Sequence, residues 1–284
     1  MKVLLIGSGG REHAIGLSIS KSKRLSSLYF APGNAGTAQL GENVAIKESD
    51  ISSLLRFVEQ KGVDLTIVGP EAPLVAGIVD QFHEKGYPII GPSQLGAQLE
   101  GSKSWAKLKM KEWGIPTASY EVFSDYESAV TYTEHCIYPI VIKADGLAAG
   151  KGVSVVHTKE TAQKALSDCF IDKKFAQAGS QVVIESFLKG DEASIFAFTD
   201  GKAIIPMVAA QDHKAIYDGD KGPNTGGMGA YSPTPLVTDS IYQKVIDQVF
   251  TPLLNGFQKD KIDYVGIVYA GLMIDGDEIN VVEF

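Results

Sequence analysis

Apolar and polar positions along this chain follow two successive grammars. In residues 1–100, short apolar runs closed by glycine or proline alternate with apolar stripes at helical spacing. Val3–Ile6 runs into Gly7-Ser-Gly9-Gly10, Leu65–Val68 into Gly69-Pro70, and Ile89-Ile90 into Gly91-Pro92. Asp50 precedes Ile51, Leu54, Leu55 and Val58, the pattern of a capped amphipathic helix. Leu74, Val75, Ile78, Val79 and Phe82 form a second helical stripe. Strands alternating with helices predict a parallel sheet covered on both faces, with ligands at the carboxyl ends of its strands. Those ends carry Gly7–Gly10, Pro32-Gly33-Asn34 and Gly69-Pro70-Glu71.

The grammar changes near Gly101. Lys103–Trp113 reads as a helix ended by Gly114-Ile-Pro116. From Ser119 onward, strand hairpins are expected at 140–156, 181–208 and 264–284, with helices at about 125–136, 160–170 and 239–257. Asp200-Gly201 and Asp275-Gly276 supply hairpin turns. The expected fold class is α/β: an N-terminal Rossmann-like parallel-sheet domain over 1–101, then an α+β domain over 102–284.

Bulk properties narrow the function. A length of 284 residues suggests about two domains. The apolar runs are far too short to span a bilayer. Met1–Ile6 enters a polar glycine turn at once, which fits a buried first strand rather than a signal peptide. Two cysteines, Cys136 and Cys169, make no disulfide framework and fit a reducing, cytoplasmic setting. A net charge of −8 argues against nucleic-acid and anionic-membrane partners. It leaves room for an anionic small ligand bound by local loops. The five histidines show no zinc-ligand spacing.

The richest chemistry lies in Pro139–Val156. Two apolar runs flank a loop holding Gly146, Gly150, Lys151 and Gly152, and Lys143 closes the first run. Glycines let the backbone approach a ligand, and lysine is a point charge suited to phosphate. A P-loop would need four residues between its glycines and a following helix. Here three residues separate Gly146 from Gly150, and a strand follows. The segment reads as a hairpin lid that folds over a polyphosphate and reorganises on closing.

Other segments carry weaker signals. Gly7-Ser-Gly9-Gly10-Arg11-Glu12 has Glu12 where a dinucleotide fingerprint needs glycine, and Ala31-Pro32-Gly33 stands where a ribose-binding acid is expected. NAD binding is disfavoured. The turn still offers an anion site from backbone N–H groups and Arg11. Glu185, followed by Phe187-Leu188 and Glu192, is an acid inside an apolar strand and calls for a partner such as adenine or ribose, unless it faces solvent on an edge strand. Glu283 is likewise an acid in an apolar run, of the kind that holds Mg²⁺ beside phosphates. Gln211-Asp212-His-Lys214 precedes Asn224-Thr225-Gly226-Gly227-Met228-Gly229, read as a second glycine-rich loop.

Together these segments resemble the ATP-grasp ligases, and closely the phosphoribosylamine–glycine ligase family. The residues that carry the likeness are Gly7–Ala14, Ala31–Gly36, Val68–Leu74, Glu100–Lys103, Val141–Val153, Gln211–Lys214 and Pro223–Pro233. The resemblance implies ATP-dependent joining of glycine to 5-phosphoribosylamine, through glycyl phosphate, in purine biosynthesis. It implies ATP and Mg²⁺ (or Mn²⁺) as cofactors and a monomer in the full-length family. It makes residues 119–190 a mobile lid subdomain of an ATP-grasp domain. Lys107 and Lys143 would contact ATP, under the Gly150-Lys151-Gly152 loop. Glu185 and the backbone of Phe187 and Leu188 would hold adenine, and Glu192 the ribose. Gly9, Gly10, Arg11, Glu12, Asn34, Gly69, Pro70 and Glu71 would line the phosphoribosylamine pocket. Asp212 and Lys214, as catalytic residues, and Asn224–Gly229 would face glycine and the acyl phosphate. Glu283 would be a metal ligand.

The chain departs from the family pattern at Ala215, where the resemblance implies arginine, and after Phe284, where it implies an asparagine metal ligand and a C-terminal domain of roughly a hundred residues. A chain ending within the ATP-grasp domain is thus expected to be a fragment. Its alternative reading is nucleotide binding without turnover.

Overall fold

The computed structural model describes residues 1–147, 152–219 and 221–284, without the side chains of Gln177, Pro223 and Asn224. Two units emerge. The first comprises Met1–Ala97 with Ile262–Gly266, the second Gln98–Lys261 with Ile267–Phe284.

In the first unit, β1 (Lys2–Gly7), β2 (Ser27–Pro32), β3 (Glu42–Asn43), β4 (Leu65–Val68) and β5 (Ile89–Pro92) form a parallel sheet in the order β5-β4-β1-β2-β3. Tyr264 and Val265, from the strand Tyr264–Asp275, add antiparallel to Pro92 and Gly91. Helices α1 (Gly10–Ser20), α2 (Ile51–Lys61), α3 (Glu71–Val75) and α4 (Ile78–Glu84) lie between the strands. Two cores sandwich the sheet. Leu4, Ile6, Leu54, Val58, Val79 and Phe82 pack together on one face, Val3, Leu5, Leu28 and Phe30 on the other. This is the period-two consequence of a strand buried on both sides. Asp50 caps α2 as expected, accepting from Ser53 N–H at 3.0 Å. The stripe from Leu74 to Phe82 is not one helix. Ala76 ends α3, and Gly77 at φ +80° restarts the chain into α4.

The second unit opens with α5 (Gln98–Gly101) and α6 (Lys103–Trp113). An antiparallel four-stranded sheet follows, built from β6 (Tyr120–Phe123), β7 (Ile140–Ala144), β8 (Val153–Val156) and β9 (Val182–Ser186) in the order β6-β9-β7-β8. Helices α7 (Tyr126–Thr133) and α8 (Lys159–Phe170) belong to the same part, and Ile140, Ile142, Ala144, Val182 and Ile184 share a core with Ala129, Ala162 and Leu166 from those helices.

Beyond it come β10 (Asp191–Thr199), β11 (Ile204–Pro206), β12 (Gln211–Tyr217), β13 (Lys221–Tyr231), α9 (Asp239–Val245), α10 (Thr251–Asp260), β14 (Tyr264–Asp275) and β15 (Glu278–Glu283). The hairpin expected at 140–156 is β7–β8. That expected over 181–208 divides: β10 pairs with β11 around Asp200-Gly201, whereas β9 joins β6 and β7. Asp200 fixes this turn by accepting from the N–H groups of Lys202 and Ala203. The helix expected at 239–257 is α9 and α10 joined by a π-helical stretch, Ile246–Phe250. The second glycine-rich loop is in fact a strand. β13 pairs antiparallel with β12 in a two-stranded ribbon whose register shifts between His213 and Ala215 and again between Ala215 and Tyr217. Glycine is depleted in strands, so the pattern pointed elsewhere.

Candidate functional site

Strand register explains how the charged centre of the second unit arises. In β7, Ile140, Ile142 and Ala144 face the helix-covered core, so Val141 and Lys143 face the other way. In the β7–β9 ladder Val141 stands opposite Glu185, and Lys143 opposite Val183. Lys143 and Glu185 are therefore diagonal neighbours on one face. Helix α6 brings the third member. It is capped by Ser102, which accepts from Trp105 N–H, and it buries Ala106, Lys107 and Met110 as one stripe.

Lys107 Nζ donates to Glu185 Oε2 at 2.8 Å, with the two side chains 2% and 3% exposed. It also donates to Thr117 Oγ1 at 2.7 Å, and that hydroxyl donates to the carbonyl of Val281. Lys143 Nζ lies 2.9 Å from Glu185 Oε1 but donates its hydrogen bond to the carbonyl of Val282 at 3.0 Å. Glu185 Oε1 is buried and lacks an aligned donor. The charge pair is close, yet that acceptor still has hydrogen-bonding capacity for a ligand N–H. Burial pushes the Lys107 ammonium down to about 8, against the pull of Glu185 and with the push of Lys143. Glu185 thus sits inside the protein, not at an exposed edge.

The base of the first glycine loop is tied to α6. Asp145 accepts from Ser104 N–H at 3.2 Å, from Ser104 Oγ at 2.5 Å and from Ser102 Oγ at 3.2 Å. Lys103 Nζ donates to the carbonyl of Gly146 at 2.9 Å. Burial pulls the Lys103 ammonium below the usual lysine range, against the attraction of Glu283. Ala144 N–H donates to the carbonyl of the buried Gly152. Gly150 and Lys151 lie outside the described residues. No role was read from the sequence for Lys103, Thr117 or Asp145, although Lys103 and Asp145 lie in segments that carry the family likeness. The only signal was polar residues placed at helix and strand ends beside Lys107 and Lys143.

A second charged group adjoins β10, β12 and β15. Lys214 Nζ donates to Glu192 Oε2 at 2.9 Å and lies 3.9 Å from Glu283 Oε1. Burial acts to lower the Lys214 ammonium, but Tyr269, Glu192 and Glu283 outweigh it and hold the group above its ordinary range. Burial likewise raises the Tyr269 phenol, and Glu283 adds to this. Thr225 Oγ1 donates to the carbonyl of Lys214, and Gly227 N–H to Thr225 Oγ1. A Cβ on Gly226, Gly227 or Gly229 would meet open space, and Met228 is exposed. Asp212, half-buried, pairs with Ala230 in the ribbon. Asn224 stands opposite Ala215, and its side chain lies outside the described residues. Phe187 is exposed and Leu188 half-buried just after β9.

Among the described residues, no group of three or more His, Cys, Asp or Glu is arranged to hold a metal alone. Glu283 nonetheless fits a divalent cation shared with phosphates. It is a hard oxygen donor, half-buried at the end of β15, of the kind that takes such an ion together with phosphate oxygens.

In the first unit the glycine turn closes on the chain's own carboxylate. Glu12, buried in α1, accepts from Gly9 N–H at 2.6 Å. A Cβ on Gly7 or Gly69 would collide with the Glu12 side chain. Arg11 Nη1 donates to the carbonyl of Gly69 at 2.5 Å. Asn34 donates to the carbonyls of Ser8 and Gly9 and accepts from the N–H groups of Gly36 and Thr37. Gly9, Arg11, Glu12, Asn34 and Gly69 therefore form one network. Gly10 opens α1, while Pro70 caps α3 and Glu71 opens it. Among the described residues no helix is long and apolar enough to cross a membrane, and Cys136 and Cys169 are free thiols.

Comparison with known proteins bears on the family and the fold. Residues 1–100 match the family model "Phosphoribosylglycinamide synthetase, N domain", and residues 101–284 match "Phosphoribosylglycinamide synthetase, ATP-grasp (A) domain". A phosphoribosylamine–glycine ligase of Halalkalibacterium halodurans is 50% identical over 284 residues, covering 100% of this chain and 66% of the relative. The chain thus spans about two thirds of the length of the curated relatives it matches. The crystal structure of phosphoribosylamine–glycine ligase from Thermotoga maritima is similar with a TM-score of 0.85 at 34% identity, covering 100% of this chain and 68% of that one. The fold extends to the biotin carboxylase domain of 2-oxoglutarate carboxylase from Hydrogenobacter thermophilus, solved with MgADP, ADP and bicarbonate. There the TM-score is 0.77 at 15% identity, over 99% of this chain and 63% of that one. With both stretches matched by its models and half the residues shared with a relative along the full chain, the chain belongs to the phosphoribosylglycinamide synthetase family.

Proposed function

We propose that the chain serves the ATP-dependent ligation of glycine to 5-phosphoribosylamine, giving glycinamide ribonucleotide, ADP and phosphate, a step of purine biosynthesis. The observation that carries this reading is the buried Lys107–Glu185–Lys143 cluster, with an acceptor oxygen still lacking an aligned donor. Two ammoniums supply charge for phosphates, and Glu185 Oε1 suits the amino group of adenine. The relatives' name supports the choice of substrates.

In this reading Lys107 and Lys143 neutralise ATP while Glu185 and the backbone of Phe187 and Leu188 hold the base. Glu192 takes the ribose hydroxyls. A glycine carboxylate oxygen attacks the γ-phosphorus and ADP leaves. The amine of phosphoribosylamine then attacks the acyl carbon of glycyl phosphate, releasing phosphate as the amine gives up its proton. Asp212, Lys214 and Asn224–Gly229 orient the acyl phosphate. Gly9–Glu12, Asn34 and Gly69–Glu71 receive phosphoribosylamine, with Gly150-Lys151-Gly152 closing the lid over the nucleotide. Glu283 would hold Mg²⁺ or Mn²⁺, which when bound offsets phosphate charge. The protein's contribution is positioning and electrostatic stabilisation.

Phosphate release that requires both glycine and phosphoribosylamine tests the reading. Release independent of either substrate would overturn it. A second reading, nucleotide binding without turnover, rests on the same buried cluster, whose groups suit a nucleotide by itself. ATP binding by calorimetry with no substrate-dependent phosphate release would favour it.

A further inference from the structure

Lys214 stands between two acids that the proposed site needs for other partners. It projects from β12 to Glu192 on β10 and Glu283 at the end of β15. Its ammonium is 2.9 Å from one carboxylate and 3.9 Å from the other. Glu283 and the Tyr269 hydroxyl both crowd Gly271, where an added Cβ would lie 3.2 Å from Glu283 Cγ and 2.7 Å from that hydroxyl. The two carboxylates are 42% and 39% exposed, so incoming groups can reach them. Thr225 Oγ1 donates to the carbonyl of Lys214, so the backbone there has a partner of its own, separate from the ammonium's.

We propose that Lys214 is a resident counter-cation. In the ligand-free chain it neutralises Glu192 and Glu283 together, and it yields both when nucleotide and metal arrive as one. The proposal rests on the reading of Glu192 as a ribose ligand and Glu283 as a metal ligand. It has a consequence for the order of binding. Glu283 alone is a poor site for a free divalent cation, because such an ion would meet the ammonium at short range. Nucleotide changes this balance. Ribose hydroxyls replace Lys214 at Glu192, and phosphates bring the negative charge that draws Lys214 away from Glu283. Without the lysine charge, two carboxylates would face one space, a donor set suited to a hard divalent ion.

Titration of the ligand-free chain with Mn²⁺ alone, followed by electron paramagnetic resonance, tests the proposal without any need for turnover. Lys214→Met should bind Mn²⁺ at least about tenfold tighter than the unsubstituted chain, the scale expected for removing one like charge at this separation. Lys214→Gln, which keeps a polar side chain, should show the same gain if the apolar variant folds poorly. Lys214→Arg should bind as weakly as the original chain, and Lys214→Met with Glu283→Gln should lose the gain. Equal Mn²⁺ affinity in the original chain, Lys214→Met and Lys214→Gln would overturn the proposal, as would a gain that survives Glu283→Gln. The ligation reading fails on a different measurement, substrate-dependent phosphate release, so the two failures are distinct.

Discussion

Lys107 and Glu185 lie 78 residues apart in the chain and meet as a buried ion pair 2.8 Å across. Helix α6 supplies the lysine and strand β9 the carboxylate. Burial this complete is costly for either charge alone, so each holds the other in place. Lys143 shares the same carboxylate from the neighbouring strand.

Glu185→Ala should therefore be strongly destabilising. It would leave two ammoniums buried without the carboxylate between them, at a cost of roughly 3–5 kcal/mol. Urea unfolding followed by circular dichroism measures this. A loss under about 1 kcal/mol, the scale of an ordinary substitution, would mean that the cluster does not stabilise the fold as a unit.

The lowered Lys107 pKa gives a pH signature. The folded value is about 8 against 10.5 for the free side chain. Below the folded value both states are protonated, and the cost of burying the charge is fully present. As pH rises from about 8 towards 10.5 the folded chain releases the proton first, so the unfolded state binds more protons and this group's contribution to stability rises. The difference in stability between the chain and Lys107→Met should shift in favour of the unsubstituted chain across that window. Nucleotide phosphates should raise the Lys107 pKa again, so ATP binding near pH 8 to 9 should take up protons, by about a fraction of one per site. Calorimetry in buffers of different ionisation heat reads that uptake, and Lys107→Met should abolish it.

Replacing Lys143 by alanine tests the nucleotide assignment directly. Its ammonium lies beside Glu185 and under the carbonyl of Val282, at the root of the glycine loop. A lost charged hydrogen bond should weaken ATP binding by about 1.5–3 kcal/mol. Unchanged ATP affinity in a folded Lys143→Ala chain would remove this residue from the site.

Legibility from sequence varied with the physics involved. The parallel sheet of the first unit was readable because its strands are buried on both faces and end in glycine or proline. Helix α6 was readable over Lys103–Trp113 up to Gly114, which caps it at φ +72°, whereas its Ser102 cap was not read. Lys107 was not readable by pattern: a lysine in an apolar stripe looks like a surface residue until a distant carboxylate meets it. Glu185 left the same ambiguity, which only the β7–β9 register resolves. The β12–β13 ribbon hid behind its glycines, since pairing there depends on backbone hydrogen bonds more than on side-chain pattern. The glycine turn at Gly7–Gly10 suggested an open anion site. Its structure shows Gly9 N–H already engaged by Glu12, a choice that depends on the side-chain rotamer.

That turn makes its own prediction. Gly69→Ala would drive a methyl group into the Glu12 carboxylate. Overpacking of this kind costs about 1–3 kcal/mol. Because the clash is with one side chain, Glu12→Ala should relieve it, and the two substitutions should be non-additive in a double-mutant cycle. Additive losses would mean that Gly69 is needed for backbone reasons unrelated to Glu12.

Asp145 links the glycine loop to the helix that carries Lys107. Its carboxylate takes Ser104 N–H and both serine hydroxyls, while Lys103 holds the next carbonyl, that of Gly146. The base of the loop and the start of α6 are therefore tied by hydrogen bonds on both sides of the Asp145–Gly146 peptide. Asp145→Ala should cost about 1.5–3 kcal/mol of stability, the range for hydrogen bonds to a charged group. Asp145→Asn should fall between, because an amide oxygen can still accept from Ser104 while the charge is lost. If the link matters for the site as well as for the fold, Asp145→Ala should also weaken ATP binding under conditions where the chain remains folded. Full ATP affinity in a folded Asp145→Ala chain would confine Asp145 to a structural role and leave Lys107 and Lys143 positioned by Glu185, Thr117 and the Val282 carbonyl.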